Sequence, residues 1–135
     1  IKEDIILISA EIESQISSLS SADQAEYLES LGLKQSGLNK IIKSGYQTLS
    51  LITYFTSGEQ ETRAWTVTSG SKAPDAAGKI HSDFQSGFIR AETISYDDFV
   101  ECDGEIKAKE LGKMRSEGKE YVVQDGDVMH FLFNN

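Results

Sequence analysis

Between Ser36 and Ser50 the residues Leu38, Ile41, Ile42, Gly45, Tyr46 and Leu49 recur at intervals of three and four. That period sets them on one face of a helix, with Ser36 as its N-cap. Earlier in the chain Ile12, Ile16 and Leu19 keep helical spacing, and in "SADQAEYLESLG" Ser21 and Gln24 make a capping box that Gly32 closes. "DIILISA", ahead of these, is a continuous apolar run, the pattern of a strand buried on both faces and in need of parallel neighbours. From Leu51 the period shortens. "LITYFT" and "TRAWTV" are β-branched and aromatic, and "SGEQE" between them reads as a hairpin loop. "APDAAGKIH" predicts a short helix with Pro74 in its first turn, where a missing N–H does no harm. "FIRAETIS" predicts a third strand, "EIKAKELG" a helix ending at Gly112, and "EYVV" and "DVMHFLF" two strands joined by the turn "QDG". The predicted fold class is α+β: about eighty residues of mixed sheet around one main helix, a β-grasp, preceded by a mainly helical segment.

Composition narrows the function. The 135 residues are 39% hydrophobic and 26% charged, ordinary for a globular protein, and no apolar run exceeds "IILI". That run is far short of the roughly 18 residues of a membrane span. The net charge is −9, with 4 basic and 7 acidic side chains in residues 1–50 and 9 and 15 in residues 51–135. Nucleic-acid contact therefore needs a local cluster of bases, since the overall field repels phosphates. One cysteine, Cys102, allows no internal disulfide and fits a reducing cytoplasm; Glu101 and Asp103 beside it oppose thiolate formation, so an inert thiol is expected. His81 with Asp83 and His130 with Asp127 are scattered, and no spacing matches a zinc or calcium motif. The chain begins at Ile1 and reads as cut from something longer.

Three stretches carry a resemblance. "GSKAPDAAGKIHSDF" is similar to the TGS domain, a ubiquitin-like module: Gly70, Asp75, Ile80, His81 and Asp83 match its turn glycine, helix-opening aspartate and Ile-His-acid sequence. Gly126 and Asp127 of "QDGDVMHF" match the Gly-Asp turn before the last strand of that module. With "YFTSGEQETRAWTV", "ISYDDFVE" and "SGLNKIIKSGY", the similarity extends over nearly the whole chain and resembles the C-terminal part of the YchF/Obg-like ATPases. This resemblance implies a division into residues 1–49, a C-terminal remnant of the P-loop nucleotide-binding domain (strand plus helices), and residues 50–135, a TGS domain. It implies that Ser9, Ala10 and Glu11 lie beside the nucleotide base in the parent protein. It also implies ATP or GTP with Mg²⁺ for the parent, contact with the ribosome or RNA, packing against the parent's own nucleotide-binding domain, and a cytoplasmic location. Within these 135 residues there is no G-x-x-x-x-G-K-[ST] phosphate loop, so the chain is expected to hold no cofactor and to catalyse nothing itself.

Individual residues then take two readings each. A catalytic His81/Asp83 pair has no recognisable nucleophile; the favoured alternative is that His81 ends its helix by satisfying last-turn carbonyls, with Phe84 and Phe88 anchoring the return. Tyr54 and Trp65, on facing strands, either stack bases or pack, and packing is favoured. Lys72, Lys79, Arg90, Lys113, Arg115 and Lys119 either gather as an RNA- or partner-binding face or form a solvated surface balanced by Glu92, Glu117 and Glu120. For the whole chain, a docking module for ribosome, RNA or protein stands beside an intramolecular regulatory domain that controls the parent ATPase without RNA.

Overall fold

The computed structural model describes residues 5–58 and 60–134. The chain divides into two compact units, Ile1–Leu49 and Ser50–Asn135.

In the first unit three helices follow one another: α1 (Ala10–Ser17), α2 (Ser21–Ser30) and α3 (Gly37–Thr48). Each starts at a serine whose side-chain oxygen accepts a backbone N–H: Ser9 from Ile12, Ser20 from Asp23 and Ser36 from Asn39. The α2 cap is thus Ser20 with Asp23, and the Ser21/Gln24 box is corrected; the Gln24 amide instead donates to the Leu19 carbonyl at 3.0 Å. The strand read into "DIILISA" is also corrected. Ile5–Ser9 form no strand, and Ile5 and Leu7 are exposed; among the described residues of this unit there is no second strand to satisfy an extended backbone. Asp4 lies outside the described residues. Glu13 of α1 reaches across to α3: its carboxylate accepts the N–H of Gly37 at 2.6 Å and of Leu38 at 3.3 Å, filling donors that a helix start leaves open.

The second unit is the expected α+β arrangement. The hairpin forms as β1 (Leu51–Ser57) and β2 (Thr62–Thr68), then come α4 (Ala73–Ile80), α5 (Ser82–Ser86), β3 (Phe88–Ile94), α6 (Tyr96–Glu101), α7 (Glu105–Glu110), β4 (Arg115–Glu117) and β5 (Val128–Phe133). Glu59 of the hairpin loop lies outside the described residues. The five strands lie in the order β2-β1-β5-β3-β4, with β1 and β5 parallel and the other pairs antiparallel. Helix α4 lies on one face. Its buried residues Ala73, Ala76 and Ala77 are small enough to bring the helix axis close to Tyr54, Val67, Phe88, Ala91, Met129 and Phe131 of the sheet. The Tyr54 hydroxyl, wholly buried, donates to the Ala76 carbonyl at 2.7 Å and ties sheet to helix. On the opposite face α6 and α7 form a second, smaller cluster of Ile94, Cys102 and Ala108 with Phe99 and Met114.

The penultimate strand is displaced from its predicted place. "EYVV" contributes one isolated bridge, Val122 with Lys72, while Arg115–Glu117 pair with β3. The backbone of this segment is committed instead to the turn before α4: the Val123 N–H donates to the Ser71 carbonyl at 3.0 Å, and the Ala73 N–H donates to the Tyr121 carbonyl at 2.9 Å.

Candidate binding surface

Strand register decides where two of the six basic candidates, Arg90 and Arg115, point. Ala91 and Thr93 face α4, so Arg90, opposite Leu132, lies on the other face of the sheet with Glu92. Arg115 sits opposite Thr93 and shares the α4 side. Lys72 precedes the first turn of α4 and Lys79 is in its last turn. Lys119 lies in the turn after β4. Of the six, Arg90 and Arg115 thus lie on opposite faces of the sheet.

Most of them are also engaged. Lys72 pairs with Glu120 at 2.5 Å, Lys113 with Asp98 at 3.0 Å and Arg90 with Glu92 at 3.7 Å. The Asp98 carboxyl is held below the usual carboxylate range, first by the Ser95 hydroxyl and then by Lys113. These pairs are solvent-exposed, each worth little to stability, yet each spends a cation's charge locally. Lys79 and Lys119 make no ion pair among the described residues.

Arg115 has a structural task. Its guanidinium lies 3.4 Å from Asp127 and 3.2 Å from the Tyr121 hydroxyl, and stands over the Tyr121 ring at 5.5 Å. Asp127, 2% exposed, accepts from the Tyr121 hydroxyl at 2.7 Å and the Gln124 N–H at 2.9 Å through one oxygen. The Tyr121 hydroxyl is pushed up to about 12, by burial first and by its hydrogen bond to Asp127 second. The turn that Asp127 closes is fastened to β1 as well. Thr53 donates to the Asp125 carboxylate at 2.8 Å, Gly126 donates to the Thr53 carbonyl at 2.8 Å, and Phe55 donates to the Asp127 carbonyl at 2.8 Å. Gly126 has φ +85°, which a side chain would strain. The Gly-Asp pair thus holds the core's central strand in place. In the sequence Asp127 stands as a scattered candidate ligand with His130 and, by resemblance, as half of the Gly-Asp turn before the last strand. A carboxylate directly after a turn glycine was its one visible signal, because its partners Arg115 and Tyr121 are set by the fold.

His81 lines no reaction centre. Its Nδ1 accepts the Asp83 N–H at 3.2 Å, so the ring caps the start of α5, and the expected satisfaction of α4's last carbonyls is corrected. The Asp83 carboxylate lies 3.4 Å from the same nitrogen. Tyr54 is core, and Trp65 packs against the same cluster with its indole donating to Thr56 at 2.9 Å and Arg63 over its ring, so both serve packing. Cys102 is buried as a small apolar side chain. Ser9, Ala10 and Glu11 form the cap and first residues of α1, with the Ser9 hydroxyl occupied as cap acceptor at 3.4 Å. Among the described residues no group of three or more His, Cys, Asp or Glu converges as a metal site, and no helix is long and apolar enough to cross a membrane.

Comparison with known proteins gives consistent matches. The family model YchF-GTPase_C, described as a protein of unknown function (DUF933), matches residues 51–134. A protein named "Ribosome-binding ATPase YchF" from Bacillus subtilis (strain 168) is 56% identical over 131 residues, 97% of this chain and 36% of its own length. The protein of the same name from Escherichia coli O157:H7 is 54% identical over 130 residues, 96% of this chain and 36% of its own length. The solved structure of the Schizosaccharomyces pombe YchF GTPase superposes with a TM-score of 0.80 at 39% identity, covering 93% of this chain and 33% of that one. The chain thus spans about a third of the length of the relatives it matches.

Proposed function

The chain belongs to the YchF-GTPase_C family, and from that premise we propose that it is the TGS-type docking module of a ribosome-associated ATP/GTP-binding protein, with no catalysis of its own. The observation that supports this most is the 54–56% identity, across nearly the whole chain, to proteins named for ribosome binding. The residues fit the division of labour. A β-grasp unit with its own core carries the contact surface, and residues 1–49 are a C-terminal remnant of the nucleotide-binding domain. Ser9, Ala10 and Glu11 would border the base of a bound nucleotide in the parent. Nothing in these 135 residues suits the triphosphate or Mg²⁺, which need a glycine-rich loop with its lysine and hydroxyl. Such a nucleotide, held by the rest of the parent, supplies the phosphoryl chemistry.

Contact with ribosomal RNA, in the cytoplasm, would fall to the two of the six candidate cations that make no ion pair among the described residues, Lys79 and Lys119. Replacing Lys79 and Lys119 with glutamate in the full-length parent is expected to weaken ribosome co-sedimentation and to flatten its salt dependence. Binding that keeps both its strength and its salt slope would reject this surface. Arg115 is unsuitable for the same test, since its loss disturbs Asp127 and hence the fold.

One observation favours a second reading, intramolecular regulation without RNA. Leu38, Ile41, Ile42 and Leu49 lie exposed along α3, an apolar face better matched to a protein surface than to phosphates. Turnover by the parent ATPase that changes on Ile41→Asp and Ile42→Asp substitution, with no ribosome present, would support it; unchanged turnover would count against it.

A further inference from the structure

A groove of about 370 Å³ opens on the helix side of the sheet, where β1 and β5 part company. The two strands are parallel neighbours with Phe55 opposite Val128. At that register the last residue of β1, Ser57, stands level with His130, and β5 runs on to Phe133. Trp65 and Thr56 form one wall of the groove, Ile80 and Phe84 another, and Phe131 and Phe133 its floor. The aromatic groups are fixed: Phe84 stacks on Phe133 at 3.9 Å, and the Trp65 indole is held by its bond to Thr56. Arg63 lies over the Trp65 ring at 4.3 Å and makes no ion pair among the described residues.

The backbone adds a second, independent feature. The Asp127 carbonyl accepts from Phe55 of β1, whereas the Asn134 N–H donates to Gly87, on the β3 side. Backbone groups of successive strand residues point to alternate sides. Phe131 and Phe133, in step with Asp127, therefore turn their N–H and C=O toward the side that β1 has left. Among the described residues no strand residue lies opposite them there. A strand edge offering donors and acceptors, bordered by apolar walls, selects an extended chain over a helix or a small ring.

We propose that this groove takes an extended peptide segment, added to the sheet beside Phe131 and Phe133. Its alternate apolar side chains would rest against Trp65, Ile80 and Phe84, and a carboxylate on it would reach Arg63. The net charge of −9 otherwise disfavours an acidic partner, which makes Arg63 the determinant of where that carboxylate lies. At about 3.3 Å per residue the open edge engages only two or three residues, so binding is weak and reversible. This goes beyond the ribosome reading and does not require it.

The test uses the chain itself and a synthetic probe, an acetylated and amidated peptide of sequence Asp-Val-Thr-Val-Thr-Val. Amide hydrogen exchange at Phe131 and Phe133 is followed by NMR. Saturating peptide is expected to slow exchange at both amides roughly tenfold, while the same peptide N-methylated at its central residues leaves them unchanged. Phe84→Glu should abolish the protection. Should that variant fail to fold, as judged from Trp65 fluorescence, Arg63→Glu at the exposed rim carries the test, with an expected weakening of about two- to fivefold. Equal protection by the N-methylated peptide, or none from either, overturns the proposal. So does protection that grows with protein concentration in the absence of peptide, which would make a second copy of the chain the occupant. Ribosome co-sedimentation of the parent is indifferent to all of these outcomes, so the two readings fail separately.

Discussion

Among the described residues up to Leu49, Ile16 is the one buried hydrophobic side chain, while the second unit buries Tyr54, Val67, Phe88, Ile94, Met129 and Phe131 among others. Both units are rich in apolar residues, and in each a predicted period holds, that of α3 in the first and of the β1–β2 hairpin in the second. They differ in what the period meets. In the second unit the apolar faces of the sheet and of α4 close on each other. In the first, the stripe along α3 stays exposed, and order comes from local devices: three serine caps and the Glu13 carboxylate at the start of α3. A strong amphipathic pattern therefore specifies a helix and a face to bury, but not the surface that buries it.

Truncation of the core tests that contrast most severely. Phe131→Ala should cost about 3–5 kcal/mol and be read directly from the fluorescence of Trp65, the one tryptophan of the chain. Tyr54→Phe, which removes the bond to Ala76 and keeps the ring, should cost about 1–2 kcal/mol in the same denaturant titration. Wild-type stability for this variant would mean that helix and sheet are joined by packing alone.

Alkaline pH probes the Asp127 network. Unfolded tyrosine loses its proton near pH ~10, and the folded Tyr121 hydroxyl holds it to about 12. Between those values the folded state binds more protons, so stability is full below the lower value and declines as pH rises through the upper one. Burial raises Tyr54 as well, with the same sign. Tyr121→Phe should therefore make the decline in unfolding midpoint shallower without removing it. An unaltered slope would take Tyr121 out of the account.

The first unit should answer to caps more than to its stripe. Ser36→Ala is expected to cost α3 about 1 kcal/mol, seen as lost helical circular dichroism with the Trp65 transition unmoved. Ile41→Ala should change stability by less than about 0.5 kcal/mol. A loss comparable to that of Phe131→Ala would erase the contrast between the two units.

The sequence alone determined what depends on neighbours a few residues apart. The α3 face and its Ser36 cap, the hairpin, the Pro74 start of α4 and the "QDG" turn all follow from spacings of two to four, and the long motifs carried the family resemblance. It erred where a local pattern was ambiguous: Ser20 outcompetes Ser21 as cap one residue away, and "DIILISA" has strand composition with no strand to pair with. Tertiary structure decided everything that joins distant residues. Lys72 meets Glu120 across 48 positions and Thr53 meets Asp125 across 72. Only that closure shows that Arg115 supports a buried carboxylate, that Arg90 and Arg115 lie on opposite faces of the sheet, and that β5 outruns β1. The physical reason is that charge pairing and burial depend on distance in space, which chain separation does not fix, whereas capping and periodicity depend on dihedral angles, which it does.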